Sequence, residues 1–349
     1  MNCTKKVIGN LNKCYALLKL DYNGREHLVV ASEKNDKCLM FDINGNYEET
    51  LWEGPGGVMD MVQVPGTNGQ FLAINKFYSP NDSASARIVI VTPKAKNDWE
   101  IRVLTELPFV HRIGIIKSGG VNYFLAATVK SAHAFDDDWT CPGRVWAAEL
   151  PEDLSAYNED NQLQMKAVIS GLFRNHGFTK IQNEDGESVL VAADNGVINL
   201  IPPKSKGGEW TYKTLIDEPA SDMVMIDFDE DGEDEILTFT PFHGNILSIY
   251  KKYDHTYKKI YTHPKTLEFL HAKWGGKLLG KPTALIGYRG DDRELLAIRC
   301  SNKNTLEFCV EVLDRNVGPA NLLHFVNGGV DCFLSSNREI DEIAIYEVR

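Results

Sequence analysis

Apolar positions along this chain come in short runs that alternate with polar ones at a period of two, while long stretches of helical period are almost absent. That pattern predicts strands nearly throughout. The runs are rich in Val, Ile, Leu, Phe and Tyr, and one hairpin recurs: "ALLKLDYNGREHLVVAS", "DMVQVPGTNGQFLAIN", "HRIGIIKSGGVNYFLAATV", "GFTKIQNEDGESVLVAAD", "DMVMIDFDEDGEDEILTFT", "HAKWGGKLLGKPTALIGY" and "NLLHFVNGGVDCFLSSN". Each copy is a strand, a glycine-bearing turn and a more apolar strand. A third and a fourth strand follow, the fourth with its own recurring text: "EETLWEGP", "IRVLTELP", "KAVISGLF", "YKTLIDEP", "YKKIYTHP" and "CVEVLDRN".

A repeat of about 45 to 65 residues is the length of a four-stranded propeller blade. Seven hairpins with six downstream fourth strands leave the last blade one strand short, and the N-terminal "TKKVIGNL" has the missing text. The expectation is an all-β, seven-bladed β-propeller whose ring the N-terminal strand closes, since closure removes open sheet edges. One domain, 1–349, then holds blades at approximately 14–52, 58–106, 110–170, 175–218, 221–264, 269–315 and 318–349 plus 3–10.

Composition narrows the partners. A formal net charge of −12 over 349 residues argues against nucleic acid or an anionic membrane surface, because either would bring like charges together. A small neutral or cationic ligand fits better. The N-terminus has no apolar signal region, and no continuous apolar run is long enough to span a bilayer. Seven cysteines, odd in number and without CxxC spacing, read as reduced thiols and point to the cytoplasm.

Blade topology sorts the polar residues by face. Connections from a fourth strand to the next first strand, and from second to third strands, emerge together at one channel mouth. The former carry His111, His176, Asp222, His271 and Asn321; the latter carry Tyr78, Lys130, His133, Asp194, His243, Arg289, Asn337 and Arg338. Five of the nine histidines therefore share a face, contributed by four blades. Taken singly, each imidazole is as well explained by loop packing. Together, beside carboxylates, Lys and Arg, they are the ingredients of a metal or acid–base site.

"DFDEDGEDE" lies in the opposite, first-to-second-strand turn. It offers Asp227, Asp229, Asp231, a main-chain carbonyl at Glu233 and the Glu235 carboxylate, with Gly232 permitting the bend. Oxygen ligands at alternate positions suit a structural Ca²⁺. The turn is no EF-hand, because Thr238 stands where the bidentate Glu belongs. The other hairpins, with "DYNG", "GTNG", "NEDG" or "VNGG", have too few carboxylates to hold an ion.

"VMIDFDEDGEDEI" is similar to the Asp-rich turn of FG-GAP (VCBS-type) propeller repeats, which bind calcium structurally in integrin-like and secreted carbohydrate-active proteins. The wider arrangement, with His in several inner connections plus "FTPFHGNILSIYKK" and "GPANLLHF", resembles the propeller domain of aldos-2-ulose dehydratase-type enzymes, which eliminate water from keto-sugars. The fungal enzymes of that type also carry cupin domains, for which this chain has no room, so only the dehydration is implied.

The expectation is therefore a metal-dependent sugar lyase. Eliminating water β to a carbonyl needs a Lewis acid or donor for the developing enolate, a base for the α-proton and an acid for the departing hydroxyl. His111, His176, His243 and His271 are the expected ligands of a divalent metal of unspecified identity. His133 is the expected base, Tyr78 or Lys130 the proton donor, and Arg338 the group that orients substrate oxygens. The rivals are a non-catalytic module binding a carbohydrate or protein, and a glycoside hydrolase with paired carboxylates across the channel.

Overall fold

In a computed structural model describing residues 1–183 and 186–349, the period-two runs form strands that pair into seven antiparallel sheets of four. The seven sheets are the blades of a β-propeller. The "NEDG" turn of the fourth blade includes residues 184 and 185, which lie outside the described residues. The innermost strands are Cys14–Tyr22, Met61–Gln63, Val110–Ser118, Gly177–Asn183, Asp222–Ile226, Leu270–Leu278 and Asn321–Asn327. Among the described residues no helix is long and apolar enough to cross a membrane.

Ring closure is as expected. Strand Cys3–Asn10 pairs antiparallel with Glu342–Val348, from Cys3 opposite Val348 to Asn10 opposite Glu342, and so supplies the last blade's fourth strand. Lys5 adds ion pairs at 3.0 Å to Asp314 of the sixth blade and 2.9 Å to Glu342. The seam is also a core: Leu28, Val30 and Phe41 of the first blade pack with Phe325, Leu334 and Ile343 of the last. Each such buried side chain contributes about 1.5–3 kcal/mol, which makes the seam an ordinary blade-to-blade contact and not a weak point.

Blades pack face to face closely enough to dictate a residue type. A Cβ on Gly275 would stand 2.0 Å from Val224 Cγ1 of the neighbouring blade. Any side chain there would have to push the fifth and sixth blades apart.

Candidate metal centre

Three inner strands carry a bulge near their start, and that irregularity builds the site. Cys14 pairs with Ser32 but Ala16 with Ala31; Val110 pairs with Thr128 but Arg112 with Ala127; Leu270 pairs with Tyr288 but Ala272 with Gly287. The skipped residues are Tyr15, His111 and His271. A bulge re-aims its extra residue out of the strict in–out alternation of a strand. All three line one cavity of about 30 Å³, with His176, His243, Glu33 and Arg289.

The fourth and fifth blades supply the other imidazoles. His176 immediately precedes the strand Gly177–Asn183, its N–H bonded to Ala192 O at 3.1 Å. Gly177 has to be bare, because a Cβ would lie 2.6 Å from Ala192 Cβ and 2.9 Å from Asp222 Cα. His243 sits in a loop at φ 47°, and its N–H donates to Ser221 Oγ at 3.2 Å. Both loops are therefore pinned to the same short segment around Ser221.

The hydrogen bonds fix the tautomers. Nδ1 of His176 faces Ser221 O at 3.1 Å, and Nδ1 of His271 faces Ala320 O at 2.7 Å. A carbonyl oxygen only accepts, so each Nδ1 carries the proton and each Nε2 turns a lone pair inward. Nε2 of His176 lies 3.3 Å from Nε2 of His243, and Nε2 of His271 receives the Tyr15 hydroxyl at 3.0 Å. One ring nitrogen from each of His176, His243 and His271 falls within 4.8 Å of the others. His111 completes the cluster, its ring centroid 4.5 Å from that of His176 and its buried Nδ1 without a hydrogen-bond partner among the described residues.

Electrostatics keep these rings neutral. Burial pushes the pKa of His111, His176 and His271 well below the usual imidazole value, and neighbouring Arg112, Arg289 and imidazoles push further. His243 is lowered to about 3 by burial, then by Arg289 and Arg112. Neutral imidazoles whose second nitrogen is held by main-chain carbonyls are ready-made metal ligands. Two nitrogens each about 2.0–2.1 Å from one tetrahedral Zn²⁺ stand about 3.3–3.4 Å apart. The His176–His243 pair has that separation, so the residues fit a divalent transition metal.

Below the imidazoles the channel is filled by charge. Arg112 lies over the Tyr15 ring, 5.9 Å from its centroid, and donates to Met59 O at 3.2 Å. Asp60 accepts the N–H groups of Met61 and Ile113 at 3.0 and 3.1 Å. Asp222 pairs with the Lys273 ammonium through Oδ1, while its buried Oδ2 has no partner. Burial raises the pKa of Asp60 and lowers that of Lys273.

Two solved structures that the chain resembles share its whole length. Virginiamycin B lyase from Staphylococcus aureus matches with a TM-score of 0.57 at 14% identity, covering 100% of both chains. A streptogramin B lyase structure matches with a TM-score of 0.60 at 14% identity, covering 100% of this chain and 99% of that one. At that identity the likeness shows the propeller fold alone. No family model matches, the FG-GAP repeat included, and no curated protein does. The structural neighbours are thus B-lyase propellers and not the keto-sugar dehydratases that the sequence suggested.

Four residues expected at the reacting centre lie outside the cavity wall. Lys130 is fully buried, its ammonium bonded to Asp138 O at 2.9 Å and Asn81 Oδ1 at 3.3 Å, 4.2 Å above the Trp139 ring. His133 faces Phe135 O at 3.2 Å within the insertion loop. Tyr78 is not in the cavity wall, and its neighbour Phe77 is. Arg338 holds Glu33 and, at 2.8 Å, Glu339, which also takes Arg289 Nε at 2.8 Å. Tyr15 and Glu33 were not singled out from the sequence. The signal for Tyr15 was present: "KCYALL", "FVHRIG" and "FLHAKW" put Tyr15, His111 and His271 at the same place in the repeat.

The acidic hairpin is another matter. Asp227, Asp229 and Glu235 do converge, with one oxygen from each within 4.8 Å of the others. However, Lys251 Nζ stands among these acids, 3.0 Å from Asp229, 2.8 Å from Asp231 and 2.6 Å from Glu235. The Glu233 side chain points elsewhere, to Lys252 Nζ at 2.7 Å. A Ca²⁺ ion at these carboxylates would meet the ammonium, so as it stands this hairpin does not fit the ion expected there.

Proposed function

We propose that the protein is a metal-dependent lyase acting at the mouth of its propeller channel, with His176, His243 and His271 as metal ligands and His111 beside them. The convergence of three neutral imidazole nitrogens within 4.8 Å, two of them aligned by main-chain carbonyls, carries this reading. The fold shared with two lyases supports it. When bound, the ion supplies Lewis acidity toward a carbonyl oxygen.

The chain's own groups divide the remaining work. Glu33 is the carboxylate of the cavity wall and takes the proton α to the carbonyl. Tyr15, whose hydroxyl already donates to His271, gives a proton to the departing oxygen. Arg289, in the same wall, offsets charge that builds on the substrate oxygens. At about 30 Å³ the cavity has room for an ion and a water-sized group. The substrate's functional group enters while its body rests outside, against the half-buried Pro80 and Phe242 of the cavity wall. The substrate class proposed is a keto-sugar or anhydro-keto-sugar losing water.

The test is metal analysis of the purified protein alongside a panel of keto-sugars followed by enone absorbance. A transition metal together with an enone product supports the reading; neither appearing overturns it. The small cavity favours, as the second reading, a module that binds a ligand at the rim without turning it over. Ligand-dependent stabilisation with unchanged ligand would select that reading.

A further inference from the structure

We propose that the hairpin Asp227–Glu235 is a cation cradle in which the Lys251 ammonium takes the place of a divalent ion, so that this blade is held by an internal cation and requires no calcium. Strand register puts the lysine there. Ile236 pairs with Tyr250 across the second and third strands of the fifth blade, and Glu235 and Lys251 come next along the same ladder. Opposite charges directly across an antiparallel pair attract.

The turn itself is folded as ion-binding turns are. Asp227 accepts the N–H groups of Asp231 and Gly232, both at 3.0 Å, and Asp231 Oδ1 accepts that of Glu233 at 2.9 Å. Both oxygens of Asp229, Oδ2 of the half-exposed Asp231 and Oε1 of Glu235 face one spot, and Lys251 Nζ occupies it. Three donors are all an ammonium has. Glu235 is fully buried and also accepts Phe228 N at 2.8 Å, while the Lys251 and Asp229 side chains are about a tenth exposed or less. Burial alone would lower the Lys251 pKa, but bonds to Asp231, Glu235 and Asp229 outweigh it and hold the ammonium charged.

A lysine in this position has a consequence for metal dependence. A Ca²⁺ ion has to displace a bound ammonium, which breaks three charge-assisted bonds. Removing the ammonium leaves several carboxylates around a cavity with no counter-charge, and calcium then becomes the ligand they need.

The experiment is thermal unfolding with CaCl₂ or a chelator, on the intact chain and on Lys251→Met. The intact chain is expected to unfold at the same temperature with millimolar CaCl₂ as with chelator. Lys251→Met is expected to unfold on the order of 5 °C lower, to recover with CaCl₂, and to lose that recovery when Asp229→Asn is added. If the methionine variant does not fold, Lys251→Gln takes its place, and the measurement on the intact chain stands by itself. A rise in the intact chain's unfolding temperature with CaCl₂, or a fall with chelator, overturns the proposal. So does a folded Lys251→Met or Lys251→Gln protein that ignores CaCl₂. This outcome is independent of the histidine site, whose metal is read separately by its identity.

Discussion

Two clusters in this propeller read as cation sites in the sequence, and the structure gives them opposite characters. At the channel mouth, buried imidazoles bring lone pairs together with no positive charge between them: His176 and His243 meet nitrogen to nitrogen at 3.3 Å. On the other face, buried carboxylates converge around a positive charge already in place, with Lys251 Nζ 2.6 Å from Glu235. One cluster offers ligands to a cation; the other has brought its own. Burial explains why. Neutral imidazoles tolerate desolvation without a partner, whereas converging carboxylates do not.

The contrast can be broken most forcefully at the mouth. Removing one imidazole in His176→Ala or His243→Ala is expected to weaken the metal by more than about 100-fold, beyond the loss typical of an outer hydrogen-bond partner. Competition with a chromophoric chelator measures it. Retention of metal in both variants would show that the imidazoles are packing residues. On the other face, and of comparable size, Lys251→Met should cost about 3–5 kcal/mol by leaving uncompensated buried carboxylates, read from denaturant unfolding. A cost below about 1 kcal/mol would mean that water replaces the ammonium with little loss.

Smaller is the effect of Tyr15→Phe, which takes one hydroxyl from His271. A metal affinity about tenfold lower, with the fold unchanged, is the expected result. Unchanged affinity would detach Tyr15 from the site.

Acid separates the two regions by window. His243 falls from the ordinary 6.5 to about 3 in the folded protein, so the unfolded chain binds more protons between those values. Its contribution is complete above about pH 6.5 and is lost progressively as pH falls toward about 3. Asp231 is held below the usual 3.8, chiefly by Lys251. Its contribution is present above that value and is lost only as pH falls through its lowered folded pKa. The stability of metal-free protein should therefore fall from pH 7 to 4 through the mouth, and His243→Gln should flatten that decline. An unchanged slope would count against neutral imidazoles.

The fold was legible because its signal is repetition. Hairpins with a turn between strands of unequal hydrophobicity recur, and the N-terminal text completes the last blade, a match confirmed by the pairing of Cys3–Asn10 with Glu342–Val348. The face shared by His111, His176, His243 and His271 followed from blade topology. The identity of their companions did not. Tyr15, His111 and His271 are aimed by bulges, which alternation does not display; only the aligned repeat text puts Tyr15 level with the two histidines. Lys130 looked catalytic by position, yet its ammonium is bonded to Asp138 O and Asn81 and lies outside the cavity wall. Lys251 was invisible as a partner of the acidic turn for a related reason: sixteen positions separate it from Glu235, and only cross-strand register makes them neighbours.

Elemental analysis of the protein purified without added metal, compared with the His176→Ala/His243→Ala double variant, tests the central claim most directly. The expected result is about one transition-metal ion per chain in the intact protein, none in the variant, and no calcium in either. Calcium as the bound metal, or a transition metal that survives in the double variant, would contradict the assignment of the two clusters.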